Sequence, residues 1–230
     1  MARPTLLLDC YLDDPGAAPN FLPSLEGRDV EVVRTTTGVL PQDVTRYEAI
    51  IVSGSAASAV QDPPEWVAGL ERLVARAVDR AVPLLGVCFG HQILASALHG
   101  RDALFTRHRM EIGWVDIELD PHPLHDGLTG PITSFVTHFD EVREGLPGMS
   151  VMGRSATCPT QALHVDGKPA WSVQFHPEMR RPEAEKLIRR RSLVVPEHIP
   201  DPEGLIAAAP DNDDDRQIRR LLANFFRVAR

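Results

Sequence analysis

Short apolar segments alternate with helix-like segments through the N-terminal part of the chain, and this alternation limits the folds available to it. Residues 5–10, 29–34 and 49–53 each read as a buried strand, and residues 62–81 carry apolar side chains at helical spacing. A further apolar run at 82–85 precedes a second helical pattern. This order predicts an α/β fold in which a doubly wound, mostly parallel central sheet has flanking helices. In such sheets, functional sites lie at the carboxyl ends of the strands.

The helix predicted for residues 62–81 has a clear start signal. Asp62 is placed to cap it, Pro63 suits the first helical position, and Glu65 completes a start that resembles a capping box. We therefore expect the helix to begin directly after Asp62.

The second half of the chain reads as strands followed by helices. The predicted strands and hairpins, which form an additional β-hairpin region, occupy residues 103–119, 133–142, 149–164 and 170–175. A helix is expected to begin at Pro182, residues 194–212 are rich in proline and read as a loop, and a last helix follows the acidic residues 211–215. We expect residues 1–230 to form a single domain with a C-terminal helical extension from about residue 182.

Charge, hydropathy and cysteine content exclude several classes of protein. A net charge of −8 argues against nucleic-acid binding, which needs a basic face. No apolar run approaches the roughly 20 residues that span a bilayer, and no cleavable signal pattern is recognised, so no membrane contact is expected. The three widely spaced cysteines, Cys10, Cys88 and Cys158, indicate reduced thiols in a cytoplasmic protein rather than a disulfide framework.

The strongest functional signal is the segment GVCFGHQ at residues 86–92. A cysteine flanked by glycines, at a turn from strand to helix, is typical of a nucleophile elbow, in which small neighbours let the chain turn tightly. The N-terminus of the following helix would favour the thiolate, which is the reactive form. Taken alone, a cysteine at a strand end is more often an inert core thiol than a nucleophile, so a base and an oxyanion site are needed elsewhere in the chain.

Two further segments supply these parts. His176 and Glu178 follow a predicted strand, where the imidazole can meet the elbow and the carboxylate can orient the imidazole. Residues 53–56 (Ser-Gly-Ser-Ala) also follow a strand, and a turn there can offer one backbone N–H to an oxyanion, while the amide of Phe89 can offer a second. Each segment alone is also typical of an ordinary turn, but together with Cys88 they predict nucleophilic catalysis.

These motifs resemble those of the class I glutamine amidotransferases. The likeness is closest to the glutamine-hydrolysing domain of GMP synthase and its stand-alone relatives, and it rests on the segments Ser53-Gly54-Ser55, Gly86-Val87-Cys88-Phe89-Gly90-His91-Gln92, Glu111-Ile112-Gly113-Trp114, Thr137-His138-Phe139-Asp140 and Gln174-Phe175-His176-Pro177-Glu178. The resemblance implies a class I glutamine amidotransferase-like, flavodoxin-like fold. It also implies a catalytic triad of Cys88, His176 and Glu178 and an oxyanion hole formed by the backbone amides of Ser55 and Phe89.

The resemblance further implies what the site binds. Gly54, Gln92, His138 and Phe139 are expected to contact the substrate, which is glutamine or another γ-glutamyl amide, and neither a cofactor nor a metal is expected. Many family members have a glycine where this chain has Ser55. Because serine tolerates positive φ less well than glycine, we expect the oxyanion hole to be differently shaped or not preformed.

Three functions are compatible with these features. The leading prediction is a glutaminase that passes ammonia to a separate synthetase subunit, since no Walker-type phosphate loop is present to activate an acceptor. The second is a stand-alone hydrolase or transferase of γ-glutamyl conjugates. The third is a non-catalytic regulatory module on the same fold, which the presence of all three triad residues disfavours.

Overall fold

One nine-stranded sheet with helices against it forms the framework of the protein. The computed structural model describes residues 3–128, 131–210 and 216–229. The strands are β1 (Thr5–Asp9), β2 (Val30–Arg34), β3 (Ala49–Val52), β4 (Leu84–Val87), β5 (Leu104–Leu119), β6 (Ile132–Val142), β7 (Met149–Ser155), β8 (Ala162–Val165) and β9 (Ala170–Val173). The helices are α1 (Ala18–Phe21), α2 (Glu65–Asp79), α3 (Phe89–His99), α4 (Arg181–Val194), α5 (Pro202–Ala207) and α6 (Arg216–Val228).

The sheet changes from parallel to antiparallel pairing at β9. Its strand order is β2-β1-β3-β4-β9-β8-β7-β5-β6. The first five strands in this order pair in parallel, whereas the remaining pairings are antiparallel. The predicted α/β fold with a parallel central sheet and flanking helices is confirmed. The predicted hairpin region extends the same sheet and does not form a separate layer.

Different helices cover the two faces of the parallel strands. Alternate residues of a strand point to opposite faces; Leu6 and Leu8 of β1 therefore pack with α2 and α3, whereas Leu7 packs with α1 and α6. Strands β1, β3 and β4 are buried along their whole length, which explains why they read as continuous apolar runs. A third cluster joins β5 and β6 to the C-terminal helices through Met110, Phe135, Ala184, Ile188, Ile199 and Ile206.

The start of α2 differs from the prediction. The helix begins at Glu65, its N-cap position is Pro64, and no side chain caps it. Asp62 has a φ of 45° and lies in the left-handed region. The cause is the pair of consecutive prolines, because each proline disfavours helical backbone in the residue that precedes it. The predicted cap at Asp62 and the predicted first helical position at Pro63 were wrong.

The predicted loop of residues 194–212 contains a short helix. Helix α5 begins at Pro202, where the missing N–H of proline costs no helical hydrogen bond, and Asp201 caps it by accepting a bond of 2.9 Å from the amide of Gly204. The acidic residues 211–215, predicted to begin the last helix, lie outside the described residues. The described part of α6 buries the apolar side chains Ile218, Leu221, Leu222 and Phe225. None of the helices that the structure describes has both the length and the apolar character to cross a membrane.

Candidate active site

Cys88 lies at a sharp turn in which β4 ends one residue before it and α3 begins one residue after it. Its backbone has φ 51° and ψ −101°, a conformation that L-residues rarely adopt. Two glycines make this turn possible. A Cβ on Gly86 would collide with the carbonyl of Gly90, and a Cβ on Gly90 would collide with the carbonyl of Val52. The backbone therefore has the form expected of a nucleophile elbow.

The thiol of Cys88 is buried and lies between two polar groups. Gln174 Nε2 donates a hydrogen bond to Cys88 Sγ over 3.6 Å, and Sγ lies 3.9 Å from the carbonyl oxygen of Thr137. Gln92 Nε2 donates to Gln174 Oε1 over 3.4 Å and to the carbonyl of Asp140 over 2.7 Å. Because the amide oxygen of Gln174 accepts from Gln92, its NH₂ group faces the sulfur.

His176 and Glu178 are brought to the same place as Cys88. His176 Nδ1 lies 2.7 Å from Glu178 Oε1, and both side chains are buried. The amide of His176 donates to the carbonyl of Phe135 over 2.8 Å, which ties the residue to β6. Burial lowers the pKa of His176, but the adjacent Cys88 and Glu178 more than offset this effect and raise the pKa from 6.5 to about 10. The arrangement therefore favours a protonated imidazole at neutral pH.

The amides predicted to form the oxyanion hole belong to Ser55 and Phe89. Neither N–H donates to a backbone carbonyl among the residues that the structure describes, a condition that an oxyanion-hole donor must meet. The described non-glycine residues with positive φ are Asp62, Ala81 and Cys88, so Ser55 is not one of them. Ser55 thus avoids the positive φ that glycine would tolerate, and a hole that is differently shaped or not preformed stays a prediction.

A cavity of about 340 Å³ opens beside the thiol. Three of the four residues predicted to contact the substrate line it, namely Gln92, His138 and Phe139. Gly54 does not line it but lies against His176 and Cys88, since an added Cβ would lie 2.9 Å from Cε1 of His176 and 3.6 Å from Cβ of Cys88. The other lining residues are Ser55, Ala56, Ala57, Ser58, Gln61, Cys88, Thr106, Arg107, Thr137, Asp140 and Arg191.

A buried cluster of Glu111, Glu141 and Cys158 adjoins the lining residues Arg107 and His138, and its possible ligand atoms lie within 4.8 Å of one another. Groups of the protein already engage its carboxylates. His138 Nε2 lies 2.8 Å from Glu111 Oε2, and Arg107 pairs with Glu141. Burial raises the pKa of the Cys158 thiol to about 12, which disfavours the thiolate that a metal would require. We assign this cluster to the internal charge network that supports the cavity wall.

Two residues near the site had no role predicted from the sequence: Gln174, whose amide contacts the thiol, and Arg191, which lines the cavity. Gln174 belongs to one of the family motifs without a predicted role, although it directly follows β9, the strand next to β4. Arg191 stands in a run of arginines that reads as a solvated helix face. The available signal was its spacing, since Ala184, Ile188 and Arg191 recur at helical intervals and share one face.

Known proteins resemble this chain in sequence. The family model described as "Glutamine amidotransferase class-I" matches residues 21–195. The chain is 31% identical over 156 residues to a subunit of the glutamine-hydrolyzing GMP synthase of Methanopyrus kandleri, a match that covers 67% of this chain and 78% of that protein. It is 38% identical over 103 residues to the GMP synthase subunit of the same name from Thermococcus kodakarensis, where the match covers 44% of this chain and 54% of that protein. The matched region thus spans about half of that second relative.

Solved structures share the fold. A glutamine amidotransferase of Thermotoga maritima superposes with a TM-score of 0.80 at 18% identity, and covers 98% of this chain and 99% of that chain. A glutamine amidotransferase of Methylobacillus flagellatus superposes with a TM-score of 0.73 at 23% identity, over 99% of this chain and 95% of that chain. The fold and family expected from the sequence motifs are confirmed. Because the family model covers most of the chain and the fold agrees with it, the chain belongs to the class I glutamine amidotransferase family.

Proposed function

We propose that the protein hydrolyses the side-chain amide of glutamine to glutamate and ammonia. The thiolate of Cys88 attacks the amide carbon, and the N–H groups of Ser55 and Phe89 stabilise the oxyanion that forms. Protonated His176 donates its proton to the leaving nitrogen, so that ammonia departs and a γ-glutamyl thioester remains. Glu178 orients the imidazole and stabilises its positive charge.

A water molecule then completes the reaction. Neutral His176 accepts a proton from the water as its oxygen attacks the thioester carbonyl carbon. The carbon–sulfur bond breaks, glutamate leaves, and the thiolate of Cys88 is restored beside a protonated imidazole. One glutamine and one water give one glutamate and one ammonia.

The observation that carries this proposal is the relation of His176 to its two neighbours. His176 Nδ1 lies 2.7 Å from Glu178 Oε1, and Cys88 and Glu178 raise the pKa of His176, which favours the protonated imidazole that the first step requires. The cavity of about 340 Å³ beside the thiol supports the proposal further, because its volume is typical of a small-molecule site.

The proposal is tested by incubating the purified protein with glutamine and measuring glutamate with a coupled dehydrogenase assay. The wild-type protein is expected to release glutamate, and Cys88→Ala is expected to abolish the release. Cys10→Ala is the matched control, because Cys10 is also a free buried cysteine but does not line the cavity. Undiminished glutamate release by Cys88→Ala would rule out Cys88 as the nucleophile.

We further propose that the ammonia passes to a separate acceptor enzyme. In support, several relatives are each named as one subunit of a glutamine-hydrolyzing GMP synthase. The rate of glutamate release should then rise when a co-purifying synthetase is added. Strong activity without a partner on γ-glutamyl amides other than glutamine would instead favour a stand-alone hydrolase or transferase of γ-glutamyl conjugates.

We also infer that residues 1–230 form one domain, with a C-terminal helical extension from about residue 182, in a cytoplasmic protein. Helix α6 packs in the same core cluster as β1 and β4, which supports a single folding unit. Cys10, Cys88 and Cys158 are free and buried, which suits a reducing compartment. Limited proteolysis tests the single domain, since a stable fragment that lacks the C-terminal helices would contradict it.

A further inference from the structure

Arg191 lies on the inward face of α4 and reaches the cavity that contains the thiol. Ala184 and Ile188 precede it at helical spacing, and both are fully buried. At the next inward position, where an apolar side chain would continue the buried face, α4 carries a guanidinium group. Its Nη1 lies 4.0 Å from Sδ of Met110, and the residue lines the cavity together with Cys88.

The two arginines that precede Arg191 each pair with a carboxylate, whereas among the described residues Arg191 does not. Arg190 pairs with Asp13 over 2.8 Å, and Arg189 pairs with Glu203 over 2.9 Å. Within the part of the chain that the structure describes, no carboxylate forms an ion pair with Arg191, and burial lowers the pKa of its guanidinium below the ordinary value. Removing a cation from water costs free energy; the electrostatic attraction of Cys88 offsets part of this cost, and a bound anion would offset more of it.

The other charged groups that line the cavity are already engaged. Arg107 pairs with Glu141 and also donates to a backbone carbonyl. The carboxylate of Asp140 accepts hydrogen bonds of 2.5 and 2.6 Å from two hydroxyl groups. Among the described lining residues, Arg191 is thus the arginine that no carboxylate balances.

We infer that Arg191 binds the α-carboxylate of the γ-glutamyl substrate. This inference rests on the proposed function, because it takes Cys88 as the group that attacks the other end of the same molecule. A guanidinium can form two parallel hydrogen bonds with a carboxylate. Such a contact, far from the scissile bond, would hold the amide carbon against the thiol. The substrate class is then γ-glutamyl amides that keep a free α-carboxylate.

Steady-state kinetics test this role with Arg191→Met, Arg191→Lys and, as the matched control, Arg190→Met. Loss of a charged hydrogen bond at Arg191→Met is expected to raise the KM for glutamine about 10-fold to 100-fold with little change in kcat. Arg191→Lys keeps the positive charge but loses the planar guanidinium that can form two parallel hydrogen bonds. Its KM for glutamine should therefore lie between those of the wild type and Arg191→Met. Arg190 is largely exposed and pairs with Asp13, so Arg190→Met should leave the KM unchanged.

A second substrate separates carboxylate binding from other effects of the substitution. The compound 4-aminobutanamide is glutamine without its α-carboxylate, so Arg191 cannot contribute to its binding in this way. The preference for glutamine over 4-aminobutanamide, measured as the ratio of kcat/KM values, should therefore fall in Arg191→Met. An unchanged KM for glutamine, or an equal loss of kcat/KM with both compounds, would overturn the inference.

A labelling experiment keeps the inference testable if glutamine is not hydrolysed. The rates at which iodoacetate and iodoacetamide alkylate Cys88 are compared, because their ratio cancels any change in the thiol that affects both reagents. Arg191→Met should lower the ratio of the anionic to the neutral reagent about 10-fold, and Arg190→Met should not. A lowered ratio without glutamate release would refute the proposed function but retain the anion site. An unchanged ratio would refute the anion site even if glutamine is hydrolysed.

Discussion

The side-chain amide of Gln174 donates a hydrogen bond to Sγ of Cys88 over 3.6 Å. Gln174 is completely buried, and Gln92 fixes the orientation of its amide by donating to its oxygen. The contact follows from the register of two parallel strands. Val87 at the end of β4 pairs with Val173 at the end of β9, so the next residues, Cys88 and Gln174, are neighbours. A donor is therefore directed at the sulfur, which bears the charge in the thiolate form that the proposed mechanism uses.

Removing this donor should make Cys88 less reactive. Gln174→Met keeps a similar side-chain volume but removes the amide, and we expect alkylation of Cys88 by iodoacetamide at neutral pH to slow about 10-fold, as the loss of a hydrogen bond to a charged group implies. Gln161→Met is the control, because Gln161 is equally buried but donates to Ser155. Equal labelling rates in the two variants would show that the donor does not activate the thiol.

The pKa of His176 should depend on its neighbours. Burial alone would lower this pKa, and Cys88 and Glu178 raise it to about 10. The stability that the protonated ring contributes is then fully present below its ordinary pKa of 6.5 and is lost as the pH rises through about 10. We expect Cys88→Ala to lower the pKa of His176, measured by an NMR titration of the imidazole. A pKa that stays near 10 in this variant would mean that Cys88 does not contribute to it.

His91 should make the protein less stable in acid. The ring is fully buried, with Nδ1 2.9 Å from Oγ of Ser172, and burial lowers its pKa from 6.5 to about 3. The histidine of the unfolded chain takes up a proton near pH 6.5, whereas the buried ring does so only near pH 3. The stability that the neutral buried ring contributes is therefore present above pH 6.5 and is lost towards pH 3, by at most about 1.4 kcal/mol per pH unit. The measurement is urea unfolding at about pH 7.5 and pH 5.5.

The variant His91→Asn isolates this effect, because it removes the titrating ring. Its free energy of unfolding should fall less between the two pH values than that of the wild type, by about 1 kcal/mol. His108→Asn, at an exposed histidine, is the control and should behave as the wild type does. A fall of equal size in His91→Asn and the wild type would disprove the assignment.

Two glycine-to-alanine substitutions should have opposite effects on stability. In Gly90→Ala the new Cβ would collide with the backbone of Val52 at the end of β3. We expect this overpacking to lower the free energy of unfolding by about 1–3 kcal/mol or more. In Gly69→Ala, within α2, the new Cβ would lie 3.4 Å from Leu40, and the gain in helix propensity should add about 0.5–1 kcal/mol. Urea unfolding measures both changes. A Gly90→Ala protein as stable as the wild type would show that the elbow does not need this close approach.

Local patterns predicted most of the elements and the residues His176 and Glu178 that the structure brings to Cys88. The buried strands β1, β3 and β4 were recognisable because both of their faces are covered, which makes them continuously apolar. Local patterns failed at two helix starts, where the effect of a proline depends on the residues beside it. At Pro63 and Pro64 the second proline delayed the helix, and at Pro202 a proline in a proline-rich segment began one.

The sequence by itself determined that Cys88 stands at an elbow between strand and helix, because the glycines on either side and the periodicity around it are local properties. Which side chains meet its sulfur was decided by the tertiary structure. The parallel register of β4 and β9 sets Gln174 beside Cys88, and the packing of α4 against the third core cluster turns Arg191 towards the cavity. Register and helix packing depend on residues far apart in the chain, and no local pattern encodes them.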